Sequence, residues 1–279
     1  MRNVIFIISH KRIQCSTAHA IQSAGYSGEW YIVADDMDDT EYEKAYGEDR
    51  IIRFSKDEYY EKIDTADNFR KYGASVYARV ACYDIAERLG ADCFGCFDDD
   101  LKGFYIRYED GNRLKSKKVK NLQRIFDAYC RYISDAGIAC GAFISSGRLV
   151  GGAKNPLVKE RFYHNPTNAY IINPHVEQIR FMGTLWEDAT YSYQNNMLGH
   201  IAMAMMPVAF VMEPPESLQE GGCHDIYEEG ASYLAESYAN MIIPSFFRWV
   251  DGCRGRRFRK DIPRILNEKW RKARSDHEK

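Results

Sequence analysis

Apolar residues in the first hundred positions alternate between short unbroken runs and stretches with helical spacing. "NVIFIISH" (3–10) is a continuous apolar run, the pattern of a strand covered on both faces in a parallel sheet. "STAHAIQSAGY" (16–26) follows as a helix, with Ser16 or Thr17 suited to its N-cap. "EWYIVADD" (29–36) predicts a second strand that ends in acid, and "RIIRFSK" (50–56) a third. "SVYARVACYDIAERLG" (75–90) spaces Val76, Val80, Tyr83 and Ile85 along a helix, and Gly90 stops it. "CFGCFDDD" (93–100) predicts the fourth strand. This β-α-β rhythm implies an α/β fold with a Rossmann-like, mainly parallel sheet flanked by helices.

The pattern then changes. "FYIRYEDGNRLKSKK" (104–118) predicts a hairpin turning at Asp110-Gly111, and 121–137 an amphipathic helix. A strand and a glycine-rich loop are expected over 138–153, and a further strand over 168–175. Residues 190–211 predict a helix leading into a buried strand after Pro207, with the Met-rich stretch in the core. No apolar run reaches the roughly 18 residues of a membrane span. The opening "MRNVIFIISHKR" turns basic at once and lacks a small-residue cleavage site, so it predicts a strand rather than a signal peptide.

Composition adds bounds. The 279 residues suffice for one large α/β domain or two small ones. The eight cysteines are spread over strand-like and helix-like segments. Cys93 and Cys96 have zinc-like spacing, but in a strand they face opposite sides and no second close pair follows. Reduced core thiols and a cytoplasmic location are expected. The net charge of −2 excludes no partner, yet it conceals a basic tail. From Arg248 to Arg274, eleven Lys/Arg face only three acids, with Phe246, Phe247, Trp249, Phe258 and Trp270 interleaved. Arg254, Arg256, Arg257, Arg259 and Lys260 therefore become candidate nucleic-acid contacts. A solvated amphipathic helix over 263–274, docked through Ile265, Leu266 and Trp270, is the plainer reading of the tail's end.

The acids carry the sharper signal. A parallel strand ending in clustered carboxylates lies where α/β folds bind ligands. In an extended backbone Asp98 and Asp100 would share one side, and a hard divalent ion such as Mg²⁺ or Mn²⁺ would relieve their repulsion while holding a diphosphate. Asp99 would turn away, toward structure or sugar. The plainer alternative is a solvated acidic turn. Asp35 and Asp36 end the second strand and suit a ribose or base; Ser9 and Arg12 end the first; Arg70 and Arg79 precede the aspartate strand and suit diphosphate oxygens.

These features together resemble the GT-A glycosyltransferases. "NVIFIISHKR", "EWYIVADDMDD", "NFRKYGASVYARV" and "CFDDDLKGF" further resemble the TET/JBP-associated glycosyltransferases of bacteriophages. The resemblance implies an acidic pair in the acceptor half, matched by Glu187-Asp188, and a late histidine metal ligand, matched by His224. It implies a UDP-sugar donor, Mn²⁺ or Mg²⁺ held by Asp98, Asp100 and His224, and transfer to a 5-hydroxymethylpyrimidine in DNA. Asp188 would be the general base of an inverting reaction, with Glu187 in reserve. One catalytic domain is expected over 1–245, with a nucleotide-sugar half (1–103) and an acceptor half (104–245), followed by a basic, helical extension (246–279). Transfer to a polysaccharide or protein, a metal-dependent nucleotidyltransferase and a non-catalytic DNA-binding protein are the alternatives.

Overall fold

The computed structural model describes residues 1–65, 74–212 and 238–244, together with the backbone of 247–252 and 255–260. The alternating first part forms β1 (Asn3–Ile8), α1 (Ser16–Ser23), β2 (Glu29–Asp35), α2 (Tyr42–Tyr46), β3 (Ile51–Phe54), α3 (Lys56–Lys62), α4 (Val76–Leu89) and β4 (Cys93–Asp98). The strands pair in parallel in the order β3-β2-β1-β4. In β1, Val4 to Ile7 are wholly buried. Their side chains alternate between two apolar clusters, which is why the run is unbroken. Val4 and Phe6 meet α4 through Val80 and Ile85, while Ile5 and Ile7 share the opposite cluster with α1. Each such side chain contributes about 1.5–3 kcal/mol through burial. Cys93 and Cys96 fall in different clusters, and the six described cysteines are buried thiols.

The second part supplies β5 (Leu101–Asp110), β6 (Arg113–Lys118), α5 (Leu122–Asp135), β7 (Cys140–Ser145), α6 (Pro156–Glu160), β8 (Phe162–Tyr163), β9 (Ala169–Ile172), α7 (Glu187–Leu198) and β10 (Ala202–Met212). Its strands extend the same sheet in the order β4-β9-β7-β10-β5-β6, with β8 on β10. β9 lies antiparallel between β4 and β7, and β5 is antiparallel to β10. Seven of these ten strands nonetheless run in one direction. The expected Rossmann-like sheet flanked by helices is present, mixed in its second half.

Three local expectations change. β10 begins at Ala202 rather than after Pro207. Its register on β7 shifts between Met205 and Ala209, and that irregularity accommodates a proline inside a strand. The N-cap of α1 is Cys15, without a side-chain cap, so Ser16 and Thr17 both fall inside the helix, and the Thr17 hydroxyl bonds the aspartate turn. The basic extension opens as a hairpin of β11 (Phe247–Gly252) and β12 (Gly255–Lys260). The helix expected over 263–274 lies outside the described residues. Among the described residues, no helix is long and apolar enough to cross a membrane.

Candidate active site

β4 ends at Asp98, and Asp99-Asp100 turn the chain directly into β5. The extended alternation expected through Asp100 therefore stops at Asp98, although all three aspartates line one cleft. Thr17 holds the turn. Its Oγ1 donates to the Asp98 carbonyl at 2.5 Å and accepts from the Leu101 N–H at 2.8 Å, while its own N–H donates to the Asp99 carbonyl at 3.1 Å. Asp99 points toward β1: Ser9 Oγ donates to its Oδ2 at 2.6 Å, and Arg12 Nη1 lies 3.0 Å from Oδ1. Burial pushes the Asp99 carboxyl above its usual range, against the pull of Arg12 and Ser9. Asp98 accepts from Asn168 Nδ2 at 2.6 Å through Oδ2.

Opposite the turn, the first turn of α7 presents Glu187 and Asp188, where a helix dipole favours acids. Trp186, just before them, adopts a left-handed backbone (φ 63°), as does Asn168 (φ 58°). A bulky residue such as Trp186 rarely adopts this conformation, whereas asparagine does so more readily; both residues line the cleft. Glu187 Oε1 accepts from Ser75 Oγ at 2.8 Å and from Arg79 Nε at 3.2 Å. Burial raises the Glu187 carboxyl, with Arg79 opposing. Asp188 Oδ1 accepts from the Ala189 N–H at 2.7 Å, and Oδ2 from Asn165 Nδ2 at 3.3 Å.

Arg79 is 4% exposed and lies between the two acid groups. Its Nη1 is 2.9 Å from Asp98 Oδ1, and the guanidinium carbon stands 4.9 Å over the Tyr170 ring. Burial disfavours its charge, but Asp98, Tyr170 and Glu187 outweigh that and keep it protonated.

The third wall is the end of β2. Asp35 is buried; its Oδ2 lies 2.7 Å from His10 Nδ1 and accepts from Lys56 Nζ at 3.0 Å. Burial favours the neutral acid, but the His10 hydrogen bond and the Lys56 charge prevail and lower its pKa to about 2. His10, Asp35 and Asp38 form a cluster with potential ligand atoms within 4.8 Å of one another. Its oxygens are already engaged by ion pairs and hydrogen bonds. The Lys56 ammonium already contacts Asp35, and Asp38 Oδ2 accepts from the Lys11 N–H at 2.7 Å and the Tyr42 hydroxyl at 3.1 Å. Asp36 is exposed and accepts from the Lys56 N–H at 3.0 Å, outside the cleft lining.

These walls enclose a cleft of about 320 Å³, the size of a small-ligand site. Six carboxyl groups (Asp35, Asp98, Asp99, Asp100, Glu187 and Asp188) face three basic side chains, Arg12, Lys56 and Arg79. An excess of hard oxygen donors fits Mg²⁺ or Mn²⁺. Asp98 Oδ1 supports this fit: it is buried, and although it is ion-paired with Arg79 Nη1 it accepts no aligned hydrogen bond.

Of the residues expected from sequence, Ser9, Arg12, Asp35, Arg79, Asp98, Asp99, Asp100, Glu187 and Asp188 meet in this cleft. Ser9 and Arg12 are engaged by Asp99, and Arg79 faces carboxylates. Arg70, His224 and Arg254 lie outside the described residues. Arg256, Arg257, Arg259 and Lys260 are described only as backbone of β12. Lys56 and Asn168 were not anticipated. Lys56 stands alone in a polar segment, and Asn168 carried no motif.

The family described as TET-associated glycosyltransferase matches residues 3–221. No curated protein matches the chain. Among solved structures, glucosyl-3-phosphoglycerate synthase from Mycobacterium tuberculosis with Mg²⁺ and UDP is 10% identical, with 93% of this chain and 86% of that one covered and a TM-score of 0.47. The same enzyme with Mn²⁺, UDP-glucose and phosphoglyceric acid is 12% identical, with 94% and 86% covered and a TM-score of 0.46. CMP:2-keto-3-deoxy-manno-octonic acid synthetase with CTP is 11% identical, with 85% and 100% covered and a TM-score of 0.40.

Proposed function

This chain belongs to the TET-associated glycosyltransferase family, and on that premise we propose that it transfers a sugar from a UDP-sugar to a hydroxyl group, with Mg²⁺ or Mn²⁺ as cofactor and a 5-hydroxymethylpyrimidine in DNA as acceptor. The observation that carries the reading is the meeting, in one cleft, of the β4–β5 aspartates with the acid pair of α7. In this reading residues 1–103 bind the nucleotide sugar, 104–245 the acceptor, and 246–279 support the acceptor.

Asp98 and Asp100 hold the metal, joined by His224. When bound, the ion supplies positive charge against the departing diphosphate. Asp99 keeps its structural bonds to Ser9 and Arg12 and so fixes the turn that carries its neighbours. Asp35, with His10 and Lys56, supplies hydrogen-bonding groups for the nucleoside. Asp188 takes the acceptor proton in an inverting reaction. Glu187 suits that role less, since it is ion-paired with Arg79 and a neighbouring cation makes a carboxylate a weaker base. The basic tail meets the phosphate backbone.

A thermal-shift panel of UDP-sugars, with and without Mn²⁺, tests the donor reading. Stabilisation by a UDP-sugar that grows with Mn²⁺ supports it, and no stabilisation under either condition removes it. Incubation with a nucleoside triphosphate and a sugar phosphate tests nucleotidyl transfer, which pyrophosphate release would reveal.

A further inference from the structure

We infer that Arg79 is the metal-free counter-ion of Asp98, a positioning residue that gives up its contact with Asp98 when a divalent cation binds and keeps its contact with Glu187. The inference rests on the metal reading above but concerns a residue whose expected role was different. From sequence, Arg79 suited a diphosphate. Its surroundings are two carboxylates and an aromatic ring.

The asymmetry of the two contacts carries the argument. Toward Glu187, Arg79 makes an aligned hydrogen bond from Nε at 3.2 Å, and Ser75 Oγ supports the same Oε1 at 2.8 Å. Toward Asp98 the atoms are closer, at 2.9 Å, yet neither Arg79 Nη1 nor Asp98 Oδ1 makes a hydrogen bond, and both are buried. The Asp98 contact is therefore one of charge without alignment. Buried polar atoms rarely lack hydrogen bonds, and a carboxylate oxygen so placed suits a hard cation as ligand. Asp98 Oδ2 is held by Asn168, so the carboxylate keeps its orientation while Oδ1 exchanges one cation for another.

The anchoring of Arg79 makes the exchange directional. The guanidinium is fixed over Tyr170, 4.9 Å from the ring, with Phe181 at 5.8 Å. α4 carries it, β4 carries Asp98 and α7 carries Glu187 beside Asp188. Without metal, Arg79 offsets repulsion between acids of the two walls. With metal at Asp98, its charge lies close to the ion and opposes binding. Arg79 thus weakens metal affinity while holding the α7 acid pair in place.

Isothermal titration of the full chain with Mn²⁺, without nucleotide, separates these roles. R79Q is expected to bind Mn²⁺ more tightly, on the order of 3–10-fold, because a repelling charge is gone. Its metal-free form should melt lower, and Mn²⁺ should raise that melting temperature more than in the unaltered protein. R79K keeps the charge and should bind Mn²⁺ as the unaltered protein does; if R79Q fails to fold, the Glu187→Gln variant decides, and Mn²⁺ binding that is unchanged or tighter in it overturns the inference. Glu187→Gln leaves Arg79 to Asp98 alone and should weaken Mn²⁺ binding. Unchanged or weaker Mn²⁺ binding in R79Q, with UDP affinity reduced instead, overturns the inference and returns Arg79 to the diphosphate. Absence of Mn²⁺ binding in the unaltered protein without nucleotide overturns the inference alone, because the metal reading is tested separately by the UDP-sugar panel above.

Discussion

Ser9 Oγ donates to Asp99 Oδ2 at 2.6 Å, so the end of β1 is tied directly to the turn that leaves β4. The two residues are 90 positions apart, and neighbouring parallel strands bring them together. Asp99 is therefore spent on architecture. Ser9→Ala removes one hydrogen bond to a buried charge and should lower stability by about 1.5–3 kcal/mol, read by chemical denaturation. Loss of less than about 0.5 kcal/mol would mean that Arg12 alone fixes Asp99.

Thr17 offers a second test of the same turn. Thr17→Val keeps the shape but removes the bond to the Asp98 carbonyl and strands the Leu101 N–H. The expected cost is about 1–3 kcal/mol in stability, with weaker Mn²⁺ binding in calorimetry. Unaltered metal affinity would separate the turn's geometry from metal binding.

The Asp35 network predicts a pH dependence. Its folded pKa, about 2, lies below the ordinary 3.8. A depressed carboxyl contributes stability above its unfolded pKa and loses it as pH falls. The contribution is about 2 kcal/mol above pH ~4, fading toward pH ~2. Asp35→Asn should flatten that part of the stability curve, measured by melts across the acid range. Equal acid sensitivity in both proteins would contradict the assignment.

Asp188 is the candidate base, and its removal should separate chemistry from binding. Asp188→Asn should lower kcat by ~10²–10⁴ while UDP-sugar affinity stays unchanged. Full activity would exclude the base role and favour a retaining reaction.

Much of this was legible in the chain. The unbroken runs of β1, β2 and β4 exposed the parallel sheet, because such strands are buried on both faces. The acid clusters were legible because charge directly after an apolar strand falls at the sheet's edge. The antiparallel insertion of β9 between β4 and β7 was not, since four apolar residues carry no sign of their partner or direction. Nor was the Arg79–Glu187 contact, which spans 108 positions. Thr17 had the composition of a cap but found stronger partners in the acid turn. Pro207 marked a bulge inside β10 rather than the strand's beginning.

Transfer itself tests the central claim most directly. The protein is incubated with UDP-sugar, Mn²⁺ and duplex DNA containing 5-hydroxymethylcytosine; released UDP and the mass of the DNA nucleosides are measured. The account predicts UDP release matched by a hexose-mass gain on the modified base, abolished by chelation and by Asp98→Asn. A mass gain that persists under chelation, or UDP release with no gain on DNA alongside transfer to a glycan or protein, would contradict it.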